Sequence, residues 1–301
     1  MSRPRILVTG ATGFIARALV PRLIDHADVT LLLLEEFGSS IALPSPLNVM
    51  RSQVDTVYAD LRNYQLTARA LRQARPDQVI HLAAVGVSDP FLNVNVALNH
   101  NVTGTLNLLR ACFETDGQDV QQVIVARTPG ERTAMNVYAA SKAAAWSFCR
   151  MYARTAGWPI HAAMLFQAYG PNQPAHSLIP AVLQAALSGE DFPMTSGKQK
   201  KDWIHVDDIS TGLISLLGAN LTPGATVELG TGKSISVREV AELVYRIVGR
   251  GGQPLAGVIP DRPGEETEQV AEVEPTAALI GWRSELSLAD GLARLVNSVG
   301  Q

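Results

Sequence analysis

The sequence predicts an α/β protein, with a doubly wound parallel sheet in its first half and a smaller, loop-rich lobe towards its C-terminus. In the first half, short aliphatic runs such as Arg5–Thr9 alternate with segments of helical period such as Phe14–Ile24. Strands that are apolar on both faces are typical of a parallel sheet covered by helices on both sides. The second half is polar and rich in turn residues at Gly170–Pro174 and Ser188–Lys201, which favours a loop-rich lobe.

Further elements follow in order along the chain. The expected strands after the first are Val29–Leu34, Thr56–Tyr58, Gln78–Leu82 and Gln122–Arg127, with a long helix at Leu98–Phe113 between the last two. The expected helices of the second half are Ser177–Leu187, Ile209–Leu217 and Val237–Val248, the second of them capped by Asp207 and Asp208. Residues 1–168 are assigned to the sheet domain, with 202–230 returning to it, and residues 169–201 and 231–301 to the lobe. A sheet of this kind binds ligands beyond the carboxyl ends of its strands.

The composition narrows the kinds of partner. With a formal net charge of -3 over 301 residues, the chain is not expected to bind nucleic acid or an anionic membrane surface. It contains no apolar run near the ~18 residues that span a bilayer, and its N-terminus lacks a secretory pattern, so a cytoplasmic protein is expected. Cys112 and Cys149 lie in apolar helical stretches and are interpreted as buried thiols; no metal-binding spacing occurs.

A glycine-rich turn, Gly10-Ala11-Thr12-Gly13-Phe14-Ile15-Ala16, joins the first strand to the first helix. One glycine lets the backbone reverse, a second lets it approach a pyrophosphate, and the following helix N-terminus offers free N–H groups to the anion. The third position is Ala16, which is small enough for the helix to pack on the sheet. The turn therefore predicts a Rossmann-like dinucleotide site, in which the cofactor contacts Gly10, Thr12, Gly13, Phe14 and Ile15.

Acidic residues after the next two strands bear on the choice of dinucleotide. Glu35 and Glu36 follow the second strand, where a carboxylate can accept both ribose hydroxyls and repels a 2′-phosphate. Glu35 thus favours NAD over NADP, although the pair also fits two solvated loop carboxylates. Asp60, which precedes Leu61 at the end of the third strand, fits either a contact to the adenine amino group or an ordinary turn aspartate.

Candidate catalytic residues follow the fifth strand. Tyr138 and Lys142 are four apart at the start of a predicted helix, so they share one face. A free tyrosine has a pKa of about 10, and a neighbouring ammonium is expected to lower that pKa, so that the phenolate can exchange a proton with a substrate hydroxyl. Thr128, at the end of the strand, is the favoured residue for orienting the reacting oxygen, and Thr133 is the alternative.

Together these residues resemble the extended short-chain dehydrogenase/reductase family, in particular its NAD-dependent epimerase/dehydratase branch. The similarity runs over nearly the whole chain and includes five further phrases in the family's order. They are His81-Leu82-Ala83-Ala84, Asn101-Val102-Thr103-Gly104-Thr105, Phe166-Gln167-Ala168-Tyr169-Gly170-Pro171, Asp202-Trp203-Ile204-His205-Val206-Asp207-Asp208 and Arg262-Pro263-Gly264-Glu265.

The resemblance implies a role for several of these positions. Leu82, Ala83, Ala84 and Phe166 would line the cofactor cleft, while Asn101 would stabilise the helix of the active site. Gln167, where many relatives have Asn, would contact a nucleotide-sugar substrate held by the smaller lobe. Lys201 and Arg262 match two arginines that contact the substrate diphosphate, although lysine lacks the bidentate fork of arginine. Relatives also dimerise through helices that match Leu98–Phe113 and Tyr138–Thr155, which implies a homodimer.

The segment between Thr128 and Tyr138 departs from the family's pattern. These residues are ten apart, whereas relatives usually have a much longer loop, so substrate shape is expected to differ. The sugar 4,6-dehydratases of the family place Asp-Glu directly after the threonine, and Pro129-Gly130 stand here instead, which disfavours dehydration. The favoured activity is epimerisation at C4 of a nucleotide-sugar. Reduction of a 4-keto-6-deoxyhexose nucleotide is the alternative reaction, and a non-catalytic dinucleotide-binding sensor or scaffold is the alternative of another class.

Overall fold

The computed structural model describes residues 3–39, 41–87, 89, 91–261 and 266–299. Contacts between residues divide the chain into two compact units. The first comprises residues 1–164 and 213–227, and the second comprises residues 165–212 and 228–301. The chain thus returns to the first unit at Leu213, whereas the sequence analysis expected residues 202–230 to return. The assignment of substrate binding to the second unit stays a prediction.

Thirteen strands lie within the described residues. They are β1 Arg5–Thr9, β2 Asp28–Leu33, β3 Asp55–Tyr58, β4 Gln78–His81, β5 Gln122–Arg127, β6 Ile160–Leu165, β7 Gln167–Tyr169, β8 Phe192–Met194, β9 Lys200–His205, β10 Thr226–Leu229, β11 Ser234–Ser236, β12 Pro254–Ala256 and β13 Glu268–Gln269.

Eleven α-helices lie within the described residues. They are α1 Phe14–Leu23, α2 Glu36–Ser39, α3 Tyr64–Ala74, α4 Val94–Ala97, α5 Gly104–Phe113, α6 Val137–Ala156, α7 Leu178–Ser188, α8 Val206–Leu217, α9 Val237–Val248, α10 Val273–Ile280 and α11 Leu288–Val299.

A seven-stranded sheet confirms the predicted α/β fold. Its strand order is β10-β6-β5-β4-β1-β2-β3, and the pairings among its first six strands along the chain are all parallel. The order reverses beside β1, whose neighbours are β2 and β4, and such a reversal is where doubly wound folds bind their ligands. The aliphatic side chains that predicted the strands are buried, among them Leu7, Val79 and Val123. Helical residues such as Leu71 and Leu108 join the same core.

The helix expected at Leu98–Phe113 is longer and less regular than its sequence pattern predicts. It begins as α4, which Asn93 caps by accepting hydrogen bonds from the amides of Asn95 and Val96. A π-helical turn, Leu98–Thr103, then connects α4 to α5. A π-turn inserts an extra residue into the helix and turns the following side chains about its axis, and such turns are frequent at functional sites.

The second unit is built around β9. Strands β7, β11 and β13 all pair with β9, while β8 and β12 form a separate pair. Helices α7, α9 and α11 contribute the apolar side chains of Ile179, Val240 and Leu292 to one core.

The Asp202 carboxylate lies in the middle of β9 and is fully buried. It accepts hydrogen bonds from the amides of Thr231 and Gly232, each at 2.8 Å, from the Thr231 hydroxyl at 2.7 Å, and from the amide of Ala271 at 3.1 Å. One charged group therefore joins three separate segments of the second unit.

The expectation that Asp207 and Asp208 cap a helix starting near Ile209 is wrong. Helix α8 already begins at Val206, so both carboxylates lie in its first turn, where their negative charge interacts favourably with the helix dipole. Asp208 instead accepts a hydrogen bond from the amide of Leu286 at 3.0 Å. The two cysteines are buried and free, as expected. Within the described ranges, no helix has both the length and the apolar character to cross a bilayer, and no group of three His, Cys, Asp or Glu side chains is placed to hold a metal ion.

Candidate active site

The glycine turn between β1 and α1 brings the backbone close to the segment that follows β4. Gly10 has a φ of +66°, and a Cβ atom at this position would lie 2.6 Å from the amide nitrogen of Ala83. Gly13 precedes α1 as its N-cap, with no side-chain hydrogen bond to the helix. The first N–H groups of a helix have no partner within it, so this terminus and its positive dipole end fit an anionic pyrophosphate.

A chain of buried hydroxyl and imidazole groups connects β1 to the helix after β4. The His81 ring lies between Thr9 and Thr105, with Nδ1 2.7 Å from the Thr9 hydroxyl and Nε2 2.9 Å from the Thr105 hydroxyl. The Thr9 hydroxyl also accepts from the amide of Ala83 at 3.3 Å. Burial, and then the charge of Lys142, lowers the pKa of His81 to about 3, so its ring is neutral near pH 7. The segment Leu82–Ala84, expected beside the cofactor, is thereby fixed against the glycine turn.

Asn101 lies in the π-helical turn and is completely buried. Its Oδ1 accepts from the amide of Val85 at 2.9 Å, while its Nδ2 donates to the carbonyl of Val85 at 3.1 Å and to the Ser141 hydroxyl at 2.9 Å. Because Ser141 lies between Tyr138 and Lys142 on α6, Asn101 connects the segment after β4 to the helix that carries them. The resemblance assigned Asn101 a role in stabilising this helix, and the contacts are of that kind.

Helix α6 presents Tyr138 and Lys142 one turn apart. It begins at Val137, where Asn136 caps it by accepting a hydrogen bond from the amide of Ala139 at 2.8 Å. Tyr138 is half-buried, while Lys142 is buried with 3% exposure. Burial lowers the pKa of Lys142, and the negative charge of Glu131 opposes that shift.

The pKa of the Tyr138 phenol departs from the expectation for the isolated Tyr–Lys pair. Burial of the ring raises this pKa, and the negative charge of Glu131 raises it further. The expected lowering by Lys142 is therefore not what the chain alone produces. The physical reason is that the sequence spacing showed the ammonium but neither the burial of the phenol nor the nearby carboxylate.

Thr128 directly follows β5 and begins a short 3₁₀ turn, Pro129–Arg132. Its side chain and that of Glu131 form a capping box, each accepting from the other's backbone amide. The half-buried Thr128 is thus fixed at the carboxyl end of the strand, as its expected role requires. Thr133, the alternative, is exposed and lies at the end of the same turn.

Glu131 and Arg127 are residues of this region that the sequence reasoning missed. Glu131 accepts from Arg127 Nε at 2.8 Å and is buried, with 1% of its side chain exposed. A signal was present, since a threonine followed three residues later by a glutamate is the pattern of a capping box. Nothing in the sequence showed that the carboxylate would be buried.

The acidic residues expected near the adenosine have different surroundings. Glu35 is exposed and lies two residues beyond the end of β2. Asp60 accepts from the amide of Arg62 at 2.9 Å, and the Arg62 guanidinium, paired with the same carboxylate, is the main cause that lowers the pKa of Asp60. These contacts are those of a turn aspartate. The carbonyl of Leu61 accepts from the Asn107 side chain at 2.8 Å.

Three expected site residues lie in the second unit. Phe166 is buried between β6 and β7, and Gln167 is exposed at the start of β7. Lys201 is 7% exposed on β9, and its Nζ donates to the side chain of Gln269 at 3.1 Å. Lys201 is therefore a buried strand residue and not part of a solvated loop. Arg262, the other expected diphosphate contact, lies outside the described residues.

Comparisons with known proteins agree with this architecture. The profile of the NAD dependent epimerase/dehydratase family matches residues 6–230. The low-salt glycan biosynthesis protein Agl12 of Haloferax volcanii is 29% identical, over 97% of this chain and 97% of that protein. The dTDP-glucose 4,6-dehydratase 1 of Escherichia coli K12 is 26% identical, over 97% of this chain and 91% of that protein.

Among solved structures, UDP-glucose 4-epimerase of Thermus thermophilus in complex with NAD has a TM-score of 0.81 and 27% identity, covering 97% of this chain and 98% of that chain. The match of the family profile spans the glycine turn, the buried links after β4, and the helix with Tyr138 and Lys142. The chain is therefore an enzyme of the NAD-dependent epimerase/dehydratase family, within the extended short-chain dehydrogenases/reductases.

Proposed function

We propose that the enzyme binds NAD and epimerises C4 of a nucleotide-sugar. The observation that carries the proposal is the placement of Tyr138 and Lys142 one turn apart on α6, with Thr128 fixed at the end of β5, ten residues before Tyr138. The epimerase of Thermus thermophilus, which resembles the chain over nearly its full length, was solved with NAD. In this chain, Tyr138 provides a phenol that can exchange a proton, Lys142 provides a cation, and Thr128 provides a hydroxyl that can orient an oxygen.

The residues of the first unit fit the dinucleotide. The uncapped N-terminus of α1 and the close approach at Gly10 would hold the pyrophosphate. The exposed carboxylate of Glu35 would accept the ribose hydroxyls and repel a 2′-phosphate, which favours NAD over NADP. Lys142 would bind the nicotinamide ribose.

NAD, when bound, would supply the acceptor and donor of the hydride, and the chain's own groups would handle the proton. Tyr138 would take the proton of the sugar hydroxyl at C4 as that carbon is oxidised to a ketone, and would give a proton back as the ketone is reduced. Thr128 would donate a hydrogen bond to the same oxygen. Because burial and Glu131 raise the pKa of Tyr138, the phenolate needs nearby positive charge, which Lys142 supplies.

The segment after Thr128 supports epimerisation over dehydration. Elimination of water from the sugar requires an acid and a base besides Tyr138. Pro129 and Gly130 carry no such group, and the buried Glu131 carboxylate already accepts from Arg127 and from the Thr128 amide. A 4-keto reductase would use the same residues, so the stoichiometry of nicotinamide distinguishes the two reactions.

The proposal is tested by incubating the protein with NAD or NADH and a panel of UDP- and dTDP-linked hexoses and 4-keto hexoses. We expect NMR to show the C4 epimer, with no net change in reduced nicotinamide. Stoichiometric loss of NADH would identify a reductase instead. Tyr138→Phe should lower turnover by about 10²–10⁴-fold while NAD binding is retained. Unchanged turnover in that variant would contradict the mechanism.

We also infer that two copies of the chain associate through the region of α4 and the π-helical turn. Val94 is 55% exposed and Leu98 is 43% exposed, four residues apart. Phe148, on the outer side of α6, is 44% exposed. The buried centre of an interface between subunits is more apolar than the rest of the protein surface, and the resemblance implied a homodimer through these same helices.

A further inference from the structure

The Arg127 side chain is held inside the first unit by three groups. Its Nε donates to Glu131 at 2.8 Å, its Nη1 donates to the Thr226 hydroxyl at 3.3 Å, and its guanidinium carbon lies 4.8 Å from the centre of the Trp146 ring. Only 14% of the Arg127 side chain is exposed. These contacts come from the turn after β5, from β10 and from α6, so the guanidinium has little freedom to move.

Glu131 completes this arrangement on the side of the active site. One carboxylate oxygen pairs with Arg127, and the other accepts from the amide of Thr128 at 3.0 Å. The pair therefore fixes the residue expected to orient the reacting oxygen. Isolated buried charges are costly, whereas a pair with satisfied hydrogen bonds persists in a fold.

Glu131 in the turn acts electrostatically on both Tyr138 and Lys142. Arg127 on β5 and Cys149 on α6 act on Lys142. The charge of Lys142 in turn acts on His81 on β4. Burial raises the pKa of Cys149 to about 12 and lowers that of His81 to about 3, so both are neutral near pH 7. The remaining charges are those of Arg127, Glu131 and Lys142.

We propose that Glu131 is a positioning residue of the active site, which holds Thr128 at the end of β5 and, together with Arg127, places a pair of opposite charges beside Tyr138 and Lys142. Its effect on turnover rests on the proposed function of Tyr138.

Removing the charge of Glu131 and removing the charge of Arg127 should shift the pKa of Tyr138 in opposite directions. Without Glu131, the phenolate loses a repulsive neighbour and Arg127 loses its counter-ion, so the pKa of Tyr138 falls. Without Arg127, the charge of Glu131 is no longer offset, so the pKa of Tyr138 rises. If the pair of Glu131 and Arg127 only supported the fold, substituting either residue would impair the protein in the same way.

The experiment compares Glu131→Gln, Arg127→Gln and the double variant with the parent chain, all saturated with NAD. Tyrosinate absorbance is followed against pH, and the titration of a matching variant with Tyr138→Phe is subtracted. We expect the midpoint to fall by about one pH unit in Glu131→Gln and to rise in Arg127→Gln. The double variant should return close to the parent. The midpoint of the pH–rate profile, measured with whichever sugar nucleotide is turned over, should follow the same pattern.

Thr226→Val is the matched control, because it removes one hydrogen bond of Arg127 without changing any charge. Its midpoint should stay at the parent value. If a single variant does not fold, the double variant, with two neutral amides that can bond each other, still decides: a midpoint displaced by one unit or more overturns the proposal. Equal shifts of the midpoint in the two single variants, or no shift in either, also overturn the proposal. Since absorbance needs no turnover, opposite shifts in a protein inactive on sugar nucleotides would refute the proposed function alone.

Discussion

Gly10 illustrates how one residue determines the geometry of the glycine turn. Its φ of +66° is disfavoured for residues with a side chain, and the missing Cβ would lie 2.6 Å from the Ala83 nitrogen and 2.7 Å from the carbonyl carbon of Leu82. Two separate constraints, one conformational and one steric, therefore act on the same residue. The steric constraint involves backbone atoms, which cannot be relieved by rotating a side chain.

Replacing Gly10 by alanine should reduce both stability and NAD affinity. Gly157, with a φ of +68° and no atom within 4 Å of the position that a Cβ would take, is the matched control. Gly157→Ala should cost about 1–2 kcal/mol of unfolding free energy from backbone strain alone. We expect Gly10→Ala to cost more and to weaken NAD binding at least tenfold, measured by denaturant unfolding and calorimetric titration. Equal losses in both variants, with unchanged affinity, would contradict the steric account.

The sequence indicated candidate residues for the site but not the environment of their side chains. Tyr138, Lys142 and Gly10 are recognisable because their spacing and position are encoded locally. The direction of the Tyr138 pKa could not be predicted, because it depends on burial and on Glu131, whose burial is a product of tertiary packing. Likewise, Lys201 donates to Gln269, 68 residues away in the chain, and no local pattern indicates that contact.

At the scale of elements, the start of α6 determines where Tyr138 lies. Asn136 is the N-cap, Val137 is the first helical residue and Tyr138 is the second. A change in the cap therefore changes the backbone that carries the phenol. Helix α9 in the second unit has a comparable cap, Ser236, whose hydroxyl accepts from the amide of Glu239 at 3.1 Å.

Asn136→Ala should cost about 1 kcal/mol of stability, as is usual for the loss of a polar N-cap. Ser236→Ala should cost a similar amount. Only the first substitution should also lower the turnover number, because only α6 carries Tyr138. Thermal unfolding and steady-state kinetics measure the two effects, and a comparable loss of turnover in Ser236→Ala would show that stability alone is responsible.

A substitution in the π-helical turn is predicted to lower the stability of the protein strongly. Asn101→Ala removes a side chain that bonds both backbone groups of Val85 and the Ser141 hydroxyl, leaving buried polar groups unpaired. We expect a loss of about 2–4 kcal/mol, compared with about 1 kcal/mol for Asn107→Ala. The latter side chain donates one hydrogen bond, to the carbonyl of Leu61. Similar losses from the two substitutions in urea unfolding would contradict this ranking.

Among the elements, aliphatic strands were predicted most successfully. The first strand, Arg5–Thr9, has the predicted bounds because a run of apolar residues ends directly at a glycine turn. The π-turn at Leu98–Thr103 was missed, since its side chains have the same helical pattern as those of an α-helix. The early start of α8 was missed because Val206 follows a strand directly, without a turn residue between them.

At the scale of the whole molecule, the exposed apolar residues of the first unit lead to a prediction about assembly. Leu98→Glu should convert the inferred homodimer to a monomer, because a carboxylate in a buried apolar interface remains without a partner. Leu279 on α10, 46% exposed, is a matched control, and Leu279→Glu should remain a dimer. Light scattering after size-exclusion chromatography measures both. A parent chain that is monomeric at working concentration would refute the inferred association.

The sheet order followed from the sequence only in outline. Alternating strands and helices predict parallel pairing, but the placement of β10 beside β6 depends on a strand far along the chain. The transition between the two units was equally hard to locate, because it falls within β6, α8 and β10 rather than in loops. A change in amino-acid composition along the chain indicates loops, but it does not indicate a boundary between units that falls inside a helix or a strand.

The carboxylate of Asp202 has a consequence for the order in which the protein acquires its structure. One of its four hydrogen-bond donors, the amide of Ala271, is made 69 residues after it. A nascent chain that ends before this residue has a charged group to bury and an incomplete set of donors. The second unit is therefore expected to reach its native state only after Ala271 has been synthesised, whereas the strands β1 to β6 emerge from the ribosome much earlier.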